Sequence, residues 1–234
     1  MKKIKINIYA DGANENEMYL MNRNKNISGM TTNPTLMKNS GIKDYKNFAL
    51  KILKKIKKKP ISFEVFADEF QEMEKQAYEI NSWGKNVFVK IPITNSKGKS
   101  SKNLIKKLLA KKIKLNITAI LTEKQINNLM SLDFKSECIL SVFAGRIADT
   151  GIDPKKIMRR IKRRIKNKKK IKLLWASCRE MYSIFEAQEV GCDIITVPNN
   201  ILNKMNLLGK NLNKYSLETV KTFYNDALKA GFKI

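Results

Sequence analysis

Along the whole chain, short runs in which apolar and polar side chains alternate take turns with longer stretches whose apolar positions recur every three to four residues. The first pattern marks half-buried strands and the second amphipathic helices. Strands are predicted at Ile4–Tyr9, Ile27–Met30, Ile61–Phe66, Val87–Ile91, Leu115–Ile120, Ile139–Phe143, Leu173–Ala176 and Ile194–Val197. Between them lie helical stripes such as Ile42, Tyr45, Phe48, Ile52 and Ile56, then Phe70, Met73, Ala77 and Ile80, then Leu104, Ile105, Leu108 and Leu109. Thr122 with Gln125 reads as a capping box, and Asp153-Pro154 as an N-cap followed by proline at the first helical position. A closing helix through Leu217, Val220, Tyr224 and Leu228 ends at Gly231.

Eight strand-then-helix units without an interrupting linker predict an α/β fold: a single (β/α)8 TIM barrel over residues 1–234 with an additional C-terminal helix. A doubly wound sheet is the alternative, but it usually has five or six strands, and no G-x-G-x-x-G turn is present here. Period-two reading sorts the strand residues onto two faces. Ile4, Ile6, Ile8 and Ala10 oppose Asn7, Tyr9 and Asp11; Ile61, Phe63 and Val65 oppose Ser62 and Glu64; Val87, Val89 and Ile91 oppose Phe88 and Lys90. Leu115, Ile117 and Ala119 oppose Asn116 and Thr118, and Leu140 and Val142 oppose Ser141 and Phe143. Polar side chains therefore gather on the inward face near the C-terminal ends of successive strands, where barrel enzymes place their active sites.

Composition narrows the chemistry. The chain has 234 residues and no histidine, which excludes Ser-His-Asp triads, Cys-His pairs, histidine-ligated metals and imidazole acid-base catalysis. The three cysteines Cys138, Cys178 and Cys192 form no C-x-x-C pair and are expected to be reduced thiols. Polar residues interrupt the first eleven positions and no run of 18 apolar residues occurs, so no membrane partner is expected and the expected location is cytoplasmic. Within the inward set, Lys90 stands in Val-Phe-Val-Lys-Ile-Pro-Ile. Apolar surroundings disfavour an ammonium, and a neutral amine attacks carbonyls to give a Schiff base, an electron sink for the neighbouring carbon. Asp11 and Glu64 are the carboxylates placed to move protons, although an ion pair between Lys90 and Glu64 is the plain structural alternative.

In chain order there follow Asp11, Thr31-Thr32-Asn33-Pro34, Ser62-Phe63-Glu64-Val65, Val89-Lys90-Ile91-Pro92, Asn116-Ile117-Thr118, Ser141-Val142-Phe143-Ala144-Gly145-Arg146-Ile147 and Ala176-Ser177-Cys178-Arg179. Carrying these motifs over nearly its whole length, the chain resembles the transaldolases and the related fructose-6-phosphate aldolases, class I Schiff-base enzymes on a barrel. The resemblance implies that Lys90 forms the Schiff base with a ketose C2 carbonyl, that Asp11 exchanges a proton with the C4 hydroxyl, and that Glu64 and Thr118 hold and activate a water. It implies that Asn33, Asn116 and Ser141 bind substrate hydroxyls or position Lys90, and that Arg146, Ser177 and Arg179 bind phosphate. In the branch that releases dihydroxyacetone, Gln replaces Glu64 and Tyr replaces Phe143, so this chain resembles the transferring branch. Departures are Gly12-Ala13 after Asp11, and Cys178 where an aromatic or apolar residue is common.

The resemblance thus implies transfer of a dihydroxyacetone unit between sugar phosphates, with no metal or organic cofactor, by a homo-oligomer. An aldolase releasing dihydroxyacetone is the alternative within enzymes, and a non-catalytic basic binding protein the alternative outside them. The third reading comes from charge: 47 Lys and Arg against 21 Asp and Glu give +26. Residue choice leans to Lys, Asn and Ile throughout, which reflects A/T-rich coding as much as a partner. Twelve Lys or Arg fall between Lys155 and Lys172, yet Ile157, Ile161 and Ile165 keep an apolar stripe, as on an outer barrel helix. No aromatic residues interleave these runs, so no specific nucleic-acid partner is expected, only salt-sensitive attraction of polyanions.

Overall fold

A computed structural model describes residues 3–234. Eight parallel strands close into a barrel: β1 (Asn7–Asp11), β2 (Ile27–Thr31), β3 (Ile61–Glu64), β4 (Val87–Pro92), β5 (Leu115–Ile120), β6 (Cys138–Val142), β7 (Ile171–Trp175) and β8 (Ile194–Pro198). Each pairs with its sequence neighbour, and β1 closes the ring against β8 through Ile8 opposite Ile195 and Ala10 opposite Val197. All eight predicted strands are present. The largest shift in boundary is at β1, which begins at Asn7 rather than Ile4; β3 stops at Glu64 and β7 begins at Ile171, each two residues from expectation.

The period-two faces separate two apolar populations. Outward residues such as Ile8, Phe63, Val89, Ile117, Leu140 and Val197 are buried against the surrounding helices. Inward, Tyr9, Phe88, Ile139, Leu174 and Ile194 form a smaller cluster that fills the barrel, with Ala176 and Phe143 above it. This packed interior leaves no through-channel, as expected for eight strands. Tyr9 occupies the space that a side chain on its partner Gly29 would need: a Cβ there would lie 2.6 Å from the Tyr9 ring. A methyl group at position 29 would overpack this layer.

The helices follow the predicted stripes. Tyr45–Lys55 buries Phe48 and Ile52, and Phe70–Ser82 buries Met73, Ala77 and Ile80. Thr122 and Gln125 form the capping box at Glu123–Leu129, and Asp153 caps Pro154–Ile165. That basic helix turns Met158, Ile161 and Ile165 inward, and its outer face is tied to neighbours by Arg160 with Glu123 at 3.0 Å and Lys162 with Asp193 at 2.7 Å. The C-terminal helix Leu212–Ala230 ends at Gly231 in the left-handed region, φ 67°, but buries none of its residues. Among the described residues no helix is long and apolar enough to cross a membrane.

Candidate active site

The C-terminal ends of the strands enclose a cavity of about 180 Å3 whose walls include Asp11, Thr31, Asn33, Lys90, Thr118, Ser141 and Phe143. Lys90 projects into it from β4 and is 6% exposed. Register places Lys90 between Glu64 on β3 and Asn116 on β5. Its Nζ donates to the Thr32 carbonyl at 2.7 Å and lies 3.0 Å from Glu64 Oε2. The contact is the Lys90–Glu64 pair that the sequence offered as the structural alternative, and the same carboxylate is placed to accept the proton that an attacking amine must lose.

Asp11, at the end of β1, accepts a 2.7 Å hydrogen bond from Thr31 Oγ1, and Thr31 in turn touches the Thr196 hydroxyl. Burial raises the proton affinity of the Asp11 carboxyl above the ordinary carboxylate value of 3.8, against the opposing pull of Lys90 and of the Thr31 hydrogen bond. A carboxylate held in this way is suited to accepting and returning a proton. Beneath the cavity, Asn116 is fully buried and both ends of its amide are engaged, Nδ2 donating to Ser62 Oγ at 3.0 Å and Oδ1 accepting from Ser141 Oγ at 2.6 Å. Thr118 is also buried, but its hydroxyl has no hydrogen-bond partner among the described residues. An unpartnered buried hydroxyl facing a polar cavity suits a water or a substrate oxygen.

Two backbone irregularities border the cavity. The β5–β6 register shifts between Ile117 and Ile120, where Ala119, next to Thr118, adopts φ 59°. Ser177 adopts φ 62° at the start of the loop that carries Arg179. Conformations of this kind cost about 1–3 kcal/mol for non-glycine residues and gather at functional sites. Gly145 makes the second one possible to pack: a Cβ there would lie 1.6 Å from the Ser177 carbonyl oxygen. The two segments therefore close up with Arg146, Ser177, Cys178 and Arg179 on the same rim of the cavity.

On that rim the Arg146 guanidinium lies 5.2 Å from the Phe143 ring centroid. Arg179 is half exposed and forks onto Asp149, its Nε donating to Oδ1 at 3.1 Å and its Nη2 to Oδ2. Burial pushes the Cys178 thiol up to about 11, so it stays protonated and does not compete with Lys90 as a nucleophile.

Every residue singled out from sequence belongs to this end of the barrel. Asp11, Asn33, Lys90, Thr118, Ser141, Phe143, Arg146, Ser177 and Arg179 line the cavity, Glu64 touches Lys90, and Asn116 supports the floor through Ser141. Asn33 has a divided role, because its Oδ1 caps the helix Pro34–Asn39 by accepting from Leu36 N at 2.9 Å. Sequence reading missed Thr31 as the partner of Asp11 and missed Thr196 and Pro198 on β8. Continuing the inward parity from Ile194 would have found Thr196.

Comparison with known proteins agrees with the family that the motifs resemble. The family model described as Transaldolase/Fructose-6-phosphate aldolase matches residues 8–234. A protein of Dehalococcoides mccartyi named a probable transaldolase is 32% identical over 199 residues, covering 85% of this chain and 89% of its own. A Thermoanaerobacter protein of the same name is 31% identical over 227 residues, covering 97% and 99%. Among solved structures, a dihydrodipicolinate synthase from Rhodopseudomonas palustris superposes with a TM-score of 0.56 at 12% identity, covering 84% of this chain and 71% of that one, a likeness of fold alone.

Proposed function

The chain belongs to the transaldolase/fructose-6-phosphate aldolase family, and from that premise we propose that it transfers a dihydroxyacetone unit between sugar phosphates through a Schiff base on Lys90. The observation that carries this reading is the arrangement around Lys90: a buried amine 3.0 Å from Glu64, opening into the cavity that Asp11 and Thr118 also line. Glu64 takes the proton from Lys90 as the amine adds to the ketose C2 carbonyl, and returns it as the carbinolamine loses water to give the imine. Thr118, with its free hydroxyl, orients that water. Asp11 accepts the C4 hydroxyl proton as the C3–C4 bond breaks, leaving an enamine on Lys90 and an aldehyde product. Addition of the enamine to a second aldehyde and hydrolysis of the new imine complete the transfer.

Arg146, Ser177 and Arg179 hold the terminal phosphate at the rim, where two guanidiniums and a hydroxyl provide charge-assisted donors. The aldolase reading differs in one step, protonation of the enamine carbon by the enzyme. Phe143 supports transfer, because its ring stands at the cavity and carries no hydroxyl to donate.

Incubation with fructose 6-phosphate followed by borohydride tests the proposal. Intact mass is expected to show one trapped three-carbon adduct, peptide mapping to place it on Lys90, and Lys90→Met to abolish it while the circular dichroism spectrum is kept. An adduct on a different lysine, or undiminished turnover by the variant, overturns the mechanism.

A further inference from the structure

The barrel has a second opening, at the N-terminal ends of the strands. Lys57 and Lys58 before β3, Lys85 before β4, Lys114 before β5 and Lys172 in β7 surround a cavity of about 350 Å3, with Glu137 as the one carboxylate. Some cations elsewhere on the surface have carboxylate partners, such as Lys46 with Glu79, Lys107 with Glu74 and Lys162 with Asp193. At this mouth, among the described residues, none of the five lysines has a carboxylate oxygen within 4.0 Å. Five ammonium groups left facing one concavity repel each other until an anion enters.

Two further observations show a prepared site. Lys114 is half-buried and fixed, its Nζ donating to the Lys85 carbonyl and lying 5.4 Å from the Phe88 ring centroid, so one ammonium is held at the cavity wall in advance. At the cavity floor Tyr9 is 5% exposed, and its hydroxyl makes no hydrogen bond among the described residues. Burial and the nearby Glu137 push this phenol up to about 12, so it stays a donor. A deep neutral donor beneath a ring of cations matches an anion with several negatively charged oxygens at different depths, and a single phosphate would reach only part of the ring.

We infer that the N-terminal mouth of the barrel is a binding site for small oligophosphates, on the opposite side of the packed interior from the sugar-phosphate cavity. Inorganic tripolyphosphate is the probe. Calorimetric titration of the full chain is expected to give saturable one-to-one binding, at least about tenfold tighter than orthophosphate because more lysines are engaged. Lys114→Gln with Lys172→Gln is expected to weaken it by about tenfold or more. Lys57→Gln with Lys58→Gln, both on the exposed rim, serves if the first pair perturbs folding, and the same direction is expected. Lys156→Gln with Arg163→Gln, on the outer face of the helix Pro154–Ile165, is expected to leave the affinity within about twofold, below the effect of one lost contact. Equal weakening by the outer pair would reduce the binding to general surface charge and overturn the site, as would indifference to both mouth pairs or equal affinity for orthophosphate. None of these readings uses turnover, so they stand or fall apart from the Schiff-base reading.

Discussion

Tyr45 clamps the backbone of Glu64: its phenol oxygen accepts from the Glu64 N–H at 2.8 Å and donates to the Glu64 carbonyl at 2.9 Å. The ring is itself wedged against Phe63 and Trp83, with centroids 6.3 and 5.8 Å away. Packing against a helix thus fixes where the carboxylate beside Lys90 begins. Tyr45→Phe keeps the wedge and strips two backbone groups of their partner, which costs about 1–3 kcal/mol for each one left unsatisfied. We expect a lower Tm and slower imine formation in rapid-quench trapping, with KM little changed. Wild-type trapping rates in a destabilised variant would confine Tyr45 to stability.

Asp11 links stability to pH in the opposite sense to a salt-bridged carboxylate. Its folded proton affinity is raised, so the folded state holds the proton more strongly than the unfolded chain. No stability is lost at low pH, where both states are protonated. It declines as pH rises from the ordinary value of 3.8 through the raised folded one, because the buried carboxyl must ionise. Asp11→Asn keeps an oxygen acceptor for Thr31 and removes the charge. The variant is expected to melt above wild type at pH 8, with the gain vanishing near pH 3, while turnover falls by about 10²–10⁴-fold. Calorimetry at both pH values checks the sign, and a variant less stable at pH 8 would contradict it.

Arg179→Ala is expected to raise KM for phosphorylated ketoses about 10- to 150-fold, from the roughly 1.5–3 kcal/mol of a charge-assisted contact, and to leave free dihydroxyacetone nearly unaffected. Asp149 loses its partner in the same variant, so Asp149→Asn is the control for that ion pair. Equal losses for both substrates would make Arg179 structural.

For transfer against release, glyceraldehyde 3-phosphate formation from fructose 6-phosphate is the measurement. Wild type is expected to cleave appreciably only with an acceptor such as erythrose 4-phosphate present, and Phe143→Tyr to increase acceptor-independent cleavage. Sustained acceptor-free release by wild type would assign the aldolase reaction.

The C-terminal helix leads to an expectation about assembly. Leu217, Val220, Phe223, Tyr224 and Leu228 are each between 55% and 68% exposed on an element that buries nothing. A patch of this kind marks a contact surface, and a second copy of the chain is the expected cover. Light scattering is expected to give an oligomer for the full chain and a smaller species after truncation at Lys210. A full-length monomer would refute self-association.

The barrel was legible because the two faces of each strand meet different surroundings, so alternation survives in residues such as Val87, Phe88, Val89 and Lys90. Site residues on β1, β3, β4, β5 and β6 followed from the same parity. The Lys90–Glu64 pair could be weighed but not measured, since it depends on how β3 and β4 align. Thr196 was overlooked because the inward parity was not followed onto β8. The second mouth left little trace in sequence: its lysines fall before three strands and within a fourth, in a chain where lysine is common everywhere, and only closure of the sheet brings them together.

Closure also makes the site a blind alley. Among the described residues, Tyr9, Phe88, Ile139, Leu174 and Ile194 fill the barrel axis behind Lys90, which faces the cavity at the C-terminal ends of the strands. Under the proposed mechanism, a sugar phosphate seated there would cork its own entrance and shield the intermediate on Lys90 until the first aldehyde departs. The next molecule through that doorway, water or acceptor, then decides the product, so partition should follow acceptor concentration even where the chemistry at Lys90 is unchanged.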